Sequence, residues 1–366
     1  MPRRLFAKGR IARRPESKRS VVGTALLVVF SLGLVALSYF EAPYVIERPG
    51  PVVNVLGEYE DQSVIQITGT KTYKTTGELG LLSVSIVGGP EQTPDWLELF
   101  WAWIDPAQAV LPLEAVYPPQ MTTEEIEAES TAMMEESQQD SVAVALTKLG
   151  YAVPSKIYVS EVSKNKPSSG KLIAGDFVLS VNGVKPNSIE NLRELINEYD
   201  SKTPLTVRVD RNGKQLDYQL TPIKNDDDKF VLGIFVGTKY EFPVKVKLQV
   251  ADIGGPSGGM MFALGIFDQL TPGSLTGGKN IAGTGTIDSK GVIGPIGGIR
   301  QKMYGAVRSG ATHFLSPVDN CSEVVGHVPA GLTVITVGTF DESVSIVEAI
   351  AKDQDLSQFG TCEPNK

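Results

Sequence analysis

The sequence predicts an α+β chain: one membrane-spanning helix, followed by a folded body of mixed strands and helices. Three observations carry this expectation. Residues 21–40 contain no charged side chain, and 20 residues at about 1.5 Å each give a helix of about 30 Å, the thickness of the hydrocarbon core. Alternating, β-branched runs recur between Ser63 and Val250, as strands require. Between them lie stretches with apolar residues at helical spacing, such as Ile189, Leu192, Leu195 and Ile196. The chain has 366 residues, 42% of them apolar and 21% charged. That composition excludes a disordered, collagen-like or disulfide-dense chain and leaves room for about two to three domains.

Charge is unevenly spread. Residues 1–20 hold eight Lys/Arg and one acid, a net of +7, while the remaining 346 residues carry 26 basic and 41 acidic groups, a net of −15. The positive-inside rule puts residues 1–20 in the cytoplasm and everything after Glu41 outside. The expectation is a single-pass protein of the cell membrane with its bulk extracytoplasmic and the lipid bilayer as partner through residues 21–40. Ala36-Leu37-Ser38 keeps a cleaved signal peptide open as the alternative. The acidic body argues against nucleic acid, which requires a basic face. Two cysteines and two histidines leave little for a zinc site or haem, so no cofactor and no metal are expected. Cys321 and Cys362 would meet a compartment that permits disulfides; a bond and two free thiols both stay open.

Residues 41–57, rich in Pro and Gly, read as a stalk entering a first strand. Ser63–Ile67 and Leu81–Val87 read as strands. Trp96–Trp103 is an aromatic patch, either at the membrane surface or in a core helix. Thr122-x-x-Glu125 is a capping box opening a helix to about Leu149, acidic early and apolar late, with Gly150 as its C-cap. Strands follow at Lys156–Val162 and over Gly175–Gly183, the latter ending in an Asn182-Gly183 turn. Ile189–Tyr199 is an amphipathic helix. Leu205–Asp210 and Gln215–Thr221 form a hairpin through Arg211-Asn212-Gly213.

The order Ser169-Gly170, Gly175-Asp176, an alternating strand, Asn182-Gly183 and a helix resembles a PDZ domain, a small barrel-like sandwich with helices. Such domains bind peptide ends by adding a strand between a strand and a helix. The resemblance implies a peptide between Ile157, Tyr158 and Val159 on one side and Leu192 and Ile196 on the other. The carboxylate-binding loop is matched loosely by Leu149-Gly150-Tyr151-Ala152.

Further on, the alternating run Val244–Val250 leads into Gly254-Gly255-Pro256-Ser257-Gly258-Gly259, then Met260, Met261, Leu264 and Phe267 at helical spacing. Ser257 thus sits at a helix start after a glycine-rich turn, where free N–H groups can stabilise an oxyanion. The plain reading of such a serine is an N-cap. A nucleophilic serine also needs a base. Gly255-x-Ser257-x-Gly259 fits a nucleophile elbow, with Asp288 or Asp319 and then His327 in the required order. The other arrangement uses a lysine. Gly-Pro-Ser-Gly-Gly, Thr284-Gly285-Thr286-Ile287 and Pro295-Ile296-Gly297-Gly298-Ile299-Arg300-Gln301-Lys302 resemble the proteolytic domain of Lon peptidases.

That resemblance implies Ser257 as nucleophile, Lys302 as general base and Thr284 as a support for the lysine amine, with Gly255, Pro256 and Gly258 shaping the serine turn. It also implies an upstream helix at Met134–Gly150 and an earlier strand at Leu79–Val87, with the PDZ segment inserted between the halves. The expected organisation is therefore a basic tail (1–20), a transmembrane helix (21–40), a first Lon-like part with stalk (41–150), a PDZ domain (151–236) and a catalytic part (237–366). As a whole the chain resembles bacterial membrane-anchored, PDZ-containing Lon-like serine peptidases. The function implied is endoproteolysis of extracytoplasmic proteins. No Gly-x4-Gly-Lys-Ser/Thr loop occurs, so ATP is not an expected partner. Ring-forming homo-oligomers belong to what the resemblance implies.

Two points bear on activity. An amine of ordinary pKa, about 10.4, is protonated at neutral pH and cannot take a proton; Lys302 needs an environment that disfavours its charge, and its sequence neighbours Ile293, Ile296, Ile299 and glycines suit that. Lon enzymes carry an acid two residues before the proline of the serine turn, where this chain has Gly254. That departure keeps a second function open, an inactive PDZ scaffold or adaptor.

Overall fold

The computed structural model describes residues 22–29, 31, 42–225, 227–250 and 254–362. Residues 22–29 and 31 are helical. The expected span 21–40 otherwise lies outside the described residues, and among the described residues no helix is long and apolar enough to cross a membrane. The chain divides into two compact units, one of residues 1–47 and 86–119, the other of residues 48–85 and 120–366.

The larger unit is built on a sheet with strand order Thr333–Val337, His313–Pro317, Asn280–Gly283, then residues 78–85 of the strand Glu78–Val87 and residues 48–54 of the strand Tyr44–Asn54. The first four run parallel. Parallel strands need both faces covered, and the sequence provides for it residue by residue. Leu81, Ile281, Leu315 and Ile335 pack with the helices Thr123–Lys148, Gly259–Leu270 and Phe340–Ala351. Their neighbours Leu82, Ala282, Phe314 and Val334 pack on the opposite face with Ile299, Met303 and Ala306 of the helix Ile299–Arg308. Successive side chains of a strand point to opposite faces, so these near-continuous apolar runs fill two cores at once. Cys321 and Cys362 are bonded.

Thr123–Lys148 begins with the capping box: Thr122 accepts from the Glu125 N–H, and the Glu125 carboxylate accepts from the Thr122 N–H. Its early acids are exposed, and its buried residues run from Met134 to Leu146. After it the chain leaves to form a separate module, then returns through Lys245–Leu248, which pairs antiparallel with Ile65–Thr68.

The inserted module is a five-stranded sheet, in the order Lys214–Leu220, Leu205–Arg211, Phe177–Val181, Ser155–Val162, Ile234–Tyr240. Its core includes Ile157, Val159, Val178, Leu192, Ile196 and Val207. The helix Ile189–Asn197 starts at Ser188, whose side chain accepts from the Asn191 N–H. Asp176 is fully buried and receives two 2.7 Å hydrogen bonds from the Arg211 guanidinium and one from the Ile173 N–H. Burial alone would raise its carboxyl, but these donors hold it below the usual carboxylate range.

In the smaller unit, Tyr44–Glu47 pairs antiparallel with Ala109–Pro112, and the helix Trp96–Ile104 buries Leu99 and Ala102 against Ala42 and Ile46. The segment expected as a stalk is thus largely strand, from Tyr44 to Asn54. Its two prolines do not prevent this, because a sheet edge tolerates a missing N–H.

Candidate active site

Ser257 lies in a short 3-10 turn, Pro256–Gly258, that runs directly into the helix Gly259–Leu270. Gly255 enters the turn at φ +79°, in the left-handed region where side chains are costly. Gly259 is required by space: a Cβ there would lie 2.6 Å from Ser137 Oγ and 2.7 Å from Ile287 Cγ2. Neither the turn nor the helix has a side-chain cap, so the N-cap reading of Ser257 does not hold.

The serine hydroxyl instead meets an amine. Lys302 Nζ lies 2.9 Å from Ser257 Oγ and donates to Thr284 Oγ1 at 3.2 Å. Lys302 is 2% exposed and Thr284 1%, while Ser257 is half-buried. Each position follows from the local fold. Thr284 is the first residue past the strand Asn280–Gly283, at the carboxyl end of the parallel strands, where open α/β sheets present their sites. Its hydroxyl donates to the Ser257 carbonyl at 3.0 Å, and the Gly285 N–H donates to the same carbonyl at 2.8 Å. Gly298, at φ +67°, starts the helix that carries Lys302, and the Lys302 N–H closes the first helical turn on the Gly298 carbonyl. The lysine therefore stands near the positive end of its own helix, which disfavours a second positive charge.

Other residues at the site escaped the motif reading. Ser137 Oγ donates to the Pro256 carbonyl and Ser141 Oγ to the Gly259 carbonyl, both at 2.8 Å. The Gly255 N–H donates to the Ser130 carbonyl. One face of Thr123–Lys148 thus grips the serine turn on both sides. The signal available was two serines four apart on the apolar half of a predicted helix. Asn320, 2% exposed, exchanges two hydrogen bonds with the Ile296 backbone and fixes the loop that leads to Lys302. The elbow arrangement is not formed: His327 is exposed, and Asp288 accepts from the backbone of Lys290 and Val292.

The peptide groove expected from sequence needs correction. Ile157 and Val159 are in the module core, and Tyr158 faces Tyr240's strand on one side and Phe177 on the other. Ser155–Val162 is interior to the sheet, so it offers no edge for strand addition. Leu192 and Ile196 are buried in the same core. The strands at the sheet margins are Lys214–Leu220 and Ile234–Tyr240; the latter, which pairs with Ser155–Val162, is preceded by Leu232-Gly233, with Gly233 at φ +72°. Leu149–Ala152 leads out of the long helix and is not beside that edge's start. An open cavity of about 220 Å³ lies between Thr238 and Ile189 of the module, Ser137 of the helix Thr123–Lys148, and Pro256 and Ile287.

Comparison with known proteins finds two family matches in the sequence. Residues 242–350 match the family described as the Lon protease (S16) C-terminal proteolytic domain, and residues 131–221 match the PDZ domain family. The latter span starts inside the helix Thr123–Lys148 and stops before Ile234–Tyr240, which the structure includes in the module. The Lon protease of Azospirillum brasilense is 37% identical over 91 residues, 24% of this chain and 11% of that protein. Lon protease 1 of Bacillus subtilis is 32% identical over 107 residues, 28% of this chain and 14% of that protein. The match thus spans about a tenth to a seventh of those relatives' length. Among solved structures, the PDZ domain of the SdrC-like protein from Listeria innocua is similar to 22% of this chain over 92% of its own, at 18% identity and a TM-score of 0.21. The chain carries a Lon-type peptidase domain together with a PDZ domain.

Proposed function

We propose that this protein is a membrane-anchored, ATP-independent serine endopeptidase that cleaves extracytoplasmic proteins through a Ser257–Lys302 dyad, with its PDZ domain engaging substrate or partner peptides. The observation that carries the proposal is the 2.9 Å approach of a buried lysine amine to the serine hydroxyl at the mouth of the parallel sheet. Burial and the helix start both favour the uncharged amine, the form a general base needs. As Ser257 Oγ attacks the scissile carbonyl, the amine takes its proton, and the new oxyanion sits at the N–H groups of Ser257 and Gly258. Lys302 then gives the proton to the departing amine, leaving an acyl-enzyme. Water attacks the ester, passes a proton to Lys302, and the serine recovers it as the acid product leaves. Thr284 holds the amine toward the serine and pins the serine carbonyl.

The bond between Cys321 and Cys362 fits an oxidising compartment, and the uncharged run 21–40 with its basic flank supports the anchor. A peptide added to the Ile234–Tyr240 edge would run beside the cavity that reaches Pro256. The test is cleavage of casein by Ser257→Ala and Lys302→Ala. Each is expected to lose activity by about 10³-fold or more while unfolding at the wild-type temperature. Retained cleavage in a folded Ser257→Ala protein overturns the proposal.

A further inference from the structure

We propose that the helix Trp96–Ile104 is an interfacial foot, its aromatic face seated in the headgroup region of the bilayer that residues 21–40 cross. The inference rests on the anchored reading above. The helix has two faces of opposite accounting. Leu99 and Ala102 are buried against Ala42 and Ile46. Trp96, Phe100, Trp101, Trp103 and Ile104 are exposed, Trp103 at 78% and Trp101 at 60%. Among the described residues Trp96 meets the Tyr44 ring edge-on, whereas Trp101 and Trp103 present most of their surface to water. Indole rings, apolar with one N–H donor, are favoured at the membrane interface.

What lies next to the helix says which partner covers that face. The Ala42 N–H donates to the Pro94 carbonyl at 3.2 Å. Asp95, the next residue, caps the helix by accepting from the N–H groups of Leu97 and Glu98. One residue, Glu41, separates Ala42 from the end of the uncharged run. The start of the aromatic helix is therefore tied to Ala42, which follows that run by two positions in the sequence. At nine residues the helix is about 13 Å long, and it suits lying flat at the interface. Residues 86–119 contain five acids (Glu91, Asp95, Glu98, Asp105, Glu114) and no Lys or Arg. Docking is thus carried by the rings, not by attraction to anionic lipid, and is insensitive to salt.

The three tryptophans of the chain all lie in this helix, so intrinsic emission of the full chain reports on this face alone. The full chain is reconstituted in phosphatidylcholine vesicles with and without lipid brominated near the headgroup, and a carbonate wash measures the anchor separately. Expected are a blue-shifted emission, loss of most of it to the brominated lipid, and no change in molar salt. Wash-resistant protein with unquenched emission overturns the proposal and leaves the anchor standing; blue-shifted but unquenched emission means that another protein surface, such as a second copy, covers the face. Protein that washes off but was quenched beforehand retains the foot and removes the anchor. Protein that washes off and was never quenched removes both.

Discussion

Thr284 has two jobs in one hydroxyl. It donates to the Ser257 carbonyl and accepts from the Lys302 amine, so it sets both the turn that carries Ser257 and the direction of the Lys302 amine. Replacing it by valine keeps the shape and removes both bonds. Thr284→Val is expected to lower kcat by about 10–100-fold, less than the roughly 10²–10⁴-fold that the proton transfer itself contributes, because the amine stays in place without its hydroxyl support, with KM nearly unchanged. Thr284→Ser is expected to restore most of the rate, because the hydroxyl and not the methyl carries the role. Steady-state kinetics on a peptide substrate decide this; equal losses in both variants would mean that packing, and not the hydroxyl, is what matters. Lys302 is less forgiving still. An arginine there stays charged at any working pH, so Lys302→Arg is expected to be as inactive as Lys302→Ala.

At the scale of elements, the helix Thr123–Lys148 is the clamp on the serine turn. Ser137 and Ser141 each bond a carbonyl of that turn from a buried position. The double variant Ser137→Ala/Ser141→Ala is expected to cost about 2–3 kcal/mol at about 1 kcal/mol or more per bond, read by urea unfolding, and to slow cleavage through a looser turn. The bond between Cys321 and Cys362 closes a loop of 41 residues. Its removal by Cys321→Ser/Cys362→Ser is expected to cost up to about 4 kcal/mol in the chain-entropy picture. Elements with strong local signals were legible from sequence: the capping box at Thr122, the amphipathic helix from Ile189, and the hairpin at Asn212-Gly213. That Ser257, Thr284 and Lys302 meet was legible only through the resemblance of their motifs to a known family; spacing and periodicity alone favoured a capping serine and a surface lysine. The margin of the module's sheet beside Ser155–Val162 was not legible. Ile234–Tyr240 pairs with Ser155–Val162 across more than 70 residues, and no local pattern says which of two β-rich segments ends up at a sheet margin. The serines of the clamp were hidden for the same reason, since their partners lie about 118 residues away.

Across the whole molecule, pH acts through a few buried or half-buried groups whose signs differ. Burial pushes the Asp140 carboxyl up to about 6; the Tyr240 hydroxyl bond opposes this, and the charges of Glu136, Asp288 and Glu190 add to it. Burial likewise pushes Asp268 up to about 6 against one bond from the Leu275 N–H. A carboxyl raised on folding binds its proton more tightly in the native state. Its contribution to stability is present at low pH and is lost as pH rises from about 4 through about 6. His313 works the other way: burial, then the charge of Lys279, lowers its imidazole from 6.5, so it contributes above 6.5 and less as pH falls through its native value. The gross profile therefore mixes the two signs, and the difference between variant and wild type separates them. Asp268→Asn and Asp140→Asn remove the charge and keep the carbonyl acceptor. Each is expected to raise the Tm relative to wild type at pH 7.5, with the difference shrinking towards zero at pH 4.5, where the wild-type carboxyl is already neutral. A Tm difference that stays constant across this range would show that the two carboxyls titrate as they do in water.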